Sequence, residues 1–270
     1  MNLPPTEVHV WLAFDHDARE PRRVAEMAAL LDSGERERLA RLRTTELRHQ
    51  FLLTRALTRT VLSAYATDVA PGAWGFASAA HGKPMLAPPF AGRGLHFNIA
   101  HTAGLVTLAV AREPAVGIDV ENLAARAARL KIAERYFSAN ETAALAALPA
   151  GEQARRFFAL WTLKESWLKA TGRGLADGLG NVSFALDPGH AALSVAFAND
   201  AAGAWRFWQA QPSADHVLAL ALRTASDAGV AVQMRRWAPG LPVEPECLAA
   251  PRPLGARDAP ASGQEQRAQA

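Results

Sequence analysis

The chain has 270 residues, half of them hydrophobic and a fifth charged, with a formal net charge of +3. That length supports a sizeable core in one large domain or two small ones, and basicity this mild does not mark a nucleic-acid binder. The single cysteine, Cys247, excludes an internal disulfide, and no run approaches the ~20 apolar residues of a membrane span.

The N-terminus, MNLPPTEVHVWLAFDHD, has neither the basic segment nor the apolar run of a signal peptide or anchor. A reducing, cytoplasmic setting is therefore expected, with no membrane and no nucleic acid among the partners. Scattered arginines suit an anionic cofactor or an acidic protein surface.

Glu7 to Phe14, rich in β-branched and aromatic residues, predicts a strand. An Arg- and Leu-rich region follows, from Val24 to Tyr65. Asp32-Ser33 reads as a helix N-cap, with Glu35 and Glu37 in the first turn. Phe51, Leu52, Arg55, Leu57, Arg59 and Leu62 read as a second amphipathic helix, whose arginines are either a solvated face or anion ligands. Trp74 to Ala77 predicts a short strand, and His81-Gly82-Lys83-Pro84 a turn, where a lysine is ordinarily solvated.

Leu95 to Ala100, Leu105 to Ala111 and Ala115 to Glu121 predict adjacent antiparallel strands joined by tight turns at Ala103-Gly104 and Glu113-Pro114. Because side chains alternate along a strand, Asp119 and Glu121 leave one face, and Ile118 and Val120 the other. Two adjacent carboxylates repel. They fit either an exposed strand end, where water screens them, or a bound cation.

Ala124 to Ala170 is helical in pattern, broken near Tyr136-Phe137-Ser138 and at Pro149-Ala150-Gly151. Ser138 and Glu141 form a capping-box pattern for a helix running to Leu148. In the last helix Trp161, Glu165 and Lys169 are four apart and share a stripe, which Gly172 and Gly174 terminate. That stripe is either an exposed Glu–Lys pair or a carboxylate and an ammonium facing a phosphate and its metal. Strands are expected at Val182–Leu186, Leu193–Phe197, Trp205–Gln209, Val217–Leu222 and Val230–Trp237, and a disordered tail from Pro239.

Three groups then invite joint reading: Asp119 with Glu121, Glu165 with Lys169, and the strand end Phe97 to Thr102. Hard carboxylate oxygens suit Mg²⁺, and a lysine beside them could neutralise phosphate charge. His101 at the strand end is either structural or a donor to phosphate.

GIDVE (117–121) and WTLKESWLKATGRGL (161–175) resemble the two signatures of the 4′-phosphopantetheinyl transferases. FNIAHT (97–102), GKP (82–84) and TRALTR (54–59) resemble supporting motifs of the larger, surfactin-synthetase-activating type, and the matches run in family order across most of residues 32 to 175. The resemblance implies an α+β fold of two similar αβ halves related by a pseudo-twofold axis, here 1–116 and 117–238, ahead of a tail at 239–270. It implies a monomer that moves the phosphopantetheine arm of coenzyme A onto a serine of an apo acyl or peptidyl carrier protein, releasing adenosine 3′,5′-bisphosphate.

By the same resemblance Asp119, Glu121 and Glu165 would hold Mg²⁺. Glu165 would activate the serine, and Lys169 would stabilise the pyrophosphate. Arg55, Lys83 and His101 would hold the cofactor phosphates, helped by Ala100 and Thr102, with Asp119 also near the cofactor. Arg59 would anchor its helix or contact the cofactor, and Arg38 would approach the 3′-phosphate. Ala100 replaces a common serine and Trp167 a common tyrosine, which removes one hydroxyl at each position. Residues Ala124 to Leu148, with Leu130, Tyr136 and Phe137 exposed, are the expected carrier surface. Two rival readings are a non-catalytic carrier-binding module of the same fold and another Mg²⁺-dependent phosphotransferase. No G-x-x-x-x-G-K-[ST] loop is present to support the commonest version of the latter.

Overall fold

A computed structural model describes residues 1–79, 82–124, 130–172, 179–186, 193–197, 204–224, 229–241, 243, 247–248 and 250–254. His81, Gly174 and the residues beyond 254 lie outside that set.

The topology repeats itself. The first unit runs β1 (Glu7–Phe14), α1 (Pro21–Ala29), α2 (Ser33–Arg41), α3 (Thr45–Tyr65), the hairpin β2 (Phe76–Ser78) and β3 (Pro84–Leu86), then β4 (His96–Thr102) and β5 (Leu105–Ala111). The second runs β6 (Val116–Asn122), α4 (Leu130–Tyr136), α5 (Ala139–Ala146), α6 (Ala150–Thr171), the hairpin β7 (Val182–Leu186) and β8 (Leu193–Phe197), then β9 (Ala204–Ser213) and β10 (His216–Thr224). In each unit the opening strand pairs with the closing one, giving β1-β5-β4 in one sheet and β6-β10-β9 in the other. The two-half α+β architecture is thus visible in the strand order itself.

Three later strands extend these sheets. β11 (Ala231–Arg236) runs parallel to β1, β12 (Cys247–Leu248) pairs with β11, and β13 (Arg252–Leu254) pairs with β9. Part of the segment expected to be a disordered tail therefore forms strands. β11, in the second half by sequence, joins the sheet of the first.

The layers run helix, sheet, sheet, helix. Trp11, Leu108 and Val110 pack under α3, while Val8, Val10 and Leu12 turn to the other face of their sheet. There they meet Ile118, Val120, Leu218, Leu220 and Leu222 of the second sheet. Ala219 and Ala221 face α6. Strands covered on both faces need apolar residues at every position, which is why LVTLAVA and VLALAL read as unbroken runs.

Both expected helix starts carry full capping boxes. Asp32 accepts from Glu35 N while Glu35 accepts from Asp32 N, and Ser138 and Glu141 do the same. The second of these helices stops at Ala146, short of the expected Leu148.

Two strand expectations change. Trp74 lies in a loop, with Phe76 opening the strand. β5 and β6, expected to pair across Glu113-Pro114, belong to different sheets. The turn there hands the chain from one sheet to the other, because β10 and α6 supply β6 with a partner strand and a cover. No helix among the described residues is long and apolar enough to cross a membrane.

Candidate active site

The site forms where α6 crosses β6. A Cβ placed on Gly117 would lie 2.1 Å from Ser166 O and 2.4 Å from Ala170 N. Only glycine lets the helix backbone come this close. Asp119 and Glu121 follow on the same face of the strand, so they too point towards α6, and each is 7% exposed. The reading as a water-screened strand end is therefore overturned.

Lys169 donates to Asp119 Oδ1 at 2.6 Å. The pair joins helix to strand, so the reading of Lys169 as half of an exposed intrahelical pair also falls. Glu165, one turn earlier, is half-buried, and its Oε1 has no hydrogen-bond partner among the described residues. Burial first, then the charges of Asp119 and Glu121, push its carboxyl up to about 7, with Lys169 opposing them. A carboxyl poised there can hold or release a proton near neutrality.

His101 lies on β4 with part of its surface open to solvent, but protein crowding its ring lowers its basicity, followed by the charge of Lys169, while Asp119 opposes. Lys83, in the turn just before β3, donates to Val116 O at 3.1 Å and Ala170 O at 3.3 Å, and burial lowers its pKa to about 8. It is a half-buried ammonium at the junction of β6 and α6, unlike the solvated turn lysine that the bare sequence suggests. His101, Asp119, Glu121, Glu165 and Lys169 thus come together, while Lys83 is tied to the backbone of β6 and α6.

The remaining candidates lie differently. Arg55 is 3.3 Å from Glu35 and lies over the Phe51 ring, which Arg38 also overlies. That basic and aromatic group sits on α2 and α3. Arg59 is fully buried. It bonds Asp32, Glu35 and the carbonyls of Pro71, Gly72 and Trp74, so it anchors its helix and has no free face for a cofactor. Ala100 is packed between the two sheets at 3% exposure, which leaves its side chain unavailable to a ligand. Thr102 Oγ1 accepts from Asn122 N at 3.2 Å. Trp167 is buried against Phe197 and Trp205, so its packing role holds. Phe137, expected on the surface, is buried and stacked on Phe157, leaving Tyr136 half-exposed nearby.

Sequence reasoning missed two groups here. Lys164, adjacent to Glu165, is wholly buried and bonds Glu141, Leu179 O and Val182 O. Asn98 is buried and accepts from Ile118 N at 2.9 Å. Glu141, as the fourth member of a capping box, was the one sequence signal near the first. A cavity of about 340 Å³ lies between α5, α6 and the β7–β8 hairpin, but none of the expected site residues lines it.

The donor set suits a hard divalent cation: three carboxylates, one with an unpartnered buried oxygen. Among the described residues no three such groups converge as a ready-made metal cage. Mg²⁺ does not require one, since it keeps waters and usually shares its shell with substrate phosphates.

A carboxylate cluster with Lys169 and His101 beside it thus lies at the seam of a duplicated αβ fold. The 4′-phosphopantetheinyl transferase superfamily model matches residues 115–221. The chain is 33% identical over 238 residues to the 4′-phosphopantetheinyl transferase HetI of Nostoc sp. (strain PCC 7120), across 88% of this chain and 94% of that one. It is 30% identical over 252 residues to a phosphopantetheinyl transferase of Thraustochytrium sp., covering 87% and 85%. It is also 36% identical over 160 residues to the 4′-phosphopantetheinyl transferase Sfp of Bacillus subtilis (strain 168), covering 58% and 67%. The chain belongs to the 4′-phosphopantetheinyl transferase superfamily.

Proposed function

We propose that this enzyme transfers the 4′-phosphopantetheine arm of coenzyme A to a serine of an apo acyl or peptidyl carrier protein. The observation that carries the proposal is Glu165, half-buried beside Asp119, Glu121 and Lys169, with its Oε1 buried and unpartnered among the described residues. In the step, the serine oxygen bonds to the phosphorus that bears the pantetheine. The bond from that phosphorus to the bridging oxygen breaks, and 3′,5′-ADP leaves with the electron pair. The serine proton passes to Glu165, directly or through water.

Asp119, Glu121 and Glu165 would hold Mg²⁺, which supplies Lewis-acid stabilisation of phosphate charge when bound. Lys169 and Lys83 would neutralise the anionic cofactor, and His101 would donate to a phosphate oxygen. The backbone around Ala100 and Thr102, with Arg55 and Arg38, would complete its binding. Such transfer depends chiefly on positioning and charge stabilisation, which a rigid seam provides. On this reading residues 1–116 and 117–238 act as two halves with the cofactor between them, in a cytoplasmic monomer. Carrier contact falls on α4 and α5, where Tyr136 is the accessible aromatic group. If Tyr136→Asp leaves the carrier KM unchanged, the carrier docks elsewhere.

The test is intact-mass measurement of apo acyl and peptidyl carriers after incubation with the enzyme, coenzyme A and Mg²⁺. A phosphopantetheine-sized gain, lost with EDTA, is the expected result. No gain on any carrier from folded protein that binds coenzyme A would favour a non-catalytic binding module. Phosphate release from nucleotides without carrier would favour another phosphotransferase.

A further inference from the structure

β6 carries Asp119 and Glu121, yet among the described residues it is an edge strand, paired with β10 on one side and with no strand on the other. Its outward backbone groups lie inside the protein, facing β4 of the first half. Buried edge groups need partners. Here side chains supply three of them. Asn98 Oδ1 accepts from Ile118 N at 2.9 Å, and Thr102 Oγ1 accepts from Asn122 N at 3.2 Å. Lys83 Nζ donates to Val116 O at 3.1 Å at the start of the strand. At its far end Asn122 Nδ2 donates to Ala103 O at 3.0 Å.

The spacing is informative. Asn98 and Thr102 are four apart on β4, so they share a face, and Ile118 and Asn122 are four apart on β6. The two clamps bracket Asp119 and Glu121. Asn98 is 3% exposed and neighbours the apolar layer between the sheets. A buried amide is costly unless its polar atoms are used, and an aliphatic side chain would pack there without that cost. The use visible in the structure is the bond to β6.

We infer that Asn98 and Thr102 are positioning residues that fix β6, and with it the Asp119–Glu121 carboxylate pair, against the first half of the molecule. This rests on the proposed role of those carboxylates. Neither clamp touches the reacting atoms. Each acts by holding a backbone amide beside a carboxylate-bearing residue, so that the strand cannot shift when charge enters the site.

The test is amide hydrogen exchange at Ile118 and Asn122 in the free protein, followed by kinetics. Asn98→Leu keeps the side-chain size and deletes the acceptor, while Asn98→Asp retains an acceptor oxygen. Exchange at Ile118 is expected to quicken about tenfold in Asn98→Leu and to stay slow in Asn98→Asp, since one hydrogen bond is worth about that factor. The kcat for transfer should fall at least as far as about tenfold in Asn98→Leu, and the Mg²⁺ needed for half-maximal rate should rise, with the coenzyme A KM little changed. If Asn98→Leu does not fold, Thr102→Val makes the same test at Asn122. Unchanged exchange at the clamped amide overturns the clamp. Faster exchange with unchanged kcat overturns the positioning role. A wild-type enzyme that modifies no carrier would overturn the functional reading instead, and the exchange result would stand apart from it.

Discussion

Each half of the molecule buries one cation on its long helix, and each satisfies it in the same way. In the first half Arg59 of α3 meets Glu35, which also closes the capping box of α2. In the second, Lys164 of α6 meets Glu141, which closes the capping box of α5. Both cations then take carbonyls from the segment after their helix: Pro71, Gly72 and Trp74 for Arg59, Leu179 and Val182 for Lys164. Both lie by an aromatic ring, Phe76 for one and Phe137 for the other.

The halves part company on the strand beneath the helix. β1 presents His9 and Trp11, both bonded to Tyr65 of α3, in a sealed network. β6 presents Gly117, Asp119 and Glu121, which bring the helix close and set charge beside it. One frame therefore serves two purposes. The buried pair locks each helix, and what the strand offers decides whether the contact is scaffold or site.

Removing the charge that distinguishes the second half should have the largest effect. Glu165→Gln cannot accept the serine proton, and transfer should fall about 10²–10⁴-fold at unchanged fold, read by carrier mass gain over time. Breaking the shared device comes next. Lys164→Met leaves the buried Glu141 without its cation and should cost about 3–5 kcal/mol in urea unfolding, and Arg59→Met should cost less, because Arg55 still stands 3.3 Å from Glu35. Lys164→Met combined with Glu141→Gln should recover part of that loss, because no buried charge then remains and an acceptor oxygen is kept for the amides that Glu141 caps.

Gly117→Ala tests the close approach. The added methyl meets Ser166 O, so α6 must lift, at about 1–3 kcal/mol of stability, with activity falling further than stability predicts. The smallest effect is a pH dependence that the first half contributes to the second. Lys83, with its pKa lowered by burial to about 8, binds an anion best when protonated. Coenzyme A affinity should be greatest below about pH 8 and weaken as pH rises through it. Calorimetric titration across that range checks this, and Lys83→Met should flatten the profile.

Much of this was legible before any fold. Most of the strand and helix positions, both caps and the shared face of Asp119 and Glu121 follow from period, β-branching and capping patterns, which act over a few residues. The resemblance of GIDVE and the Trp161 helix to family signatures singled out Asp119, Glu121, Glu165 and Lys169, which the fold brings together. The less legible part was direction. The sequence leaves Arg59 open between a solvated face, a helix anchor and a cofactor contact, puts Lys164 on an apolar helix face without showing what it bonds, and reads Lys83 as a turn lysine. Their burial depends on carbonyls and carboxylates that are distant in sequence.

By itself the sequence determined the local elements, the order in which two similar units follow one another, and the chemical types gathered in the motifs. Tertiary structure decided that β5 and β6 part into separate sheets, that Cys247–Leu248 and Arg252–Leu254 return as edge strands, and that Asn98 turns its amide to a strand in the other half. Those outcomes rest on pairings between backbone groups far apart in the chain. Such a pairing is chosen by which partner satisfies a buried hydrogen bond or covers an apolar face, and no local pattern of residues records that choice.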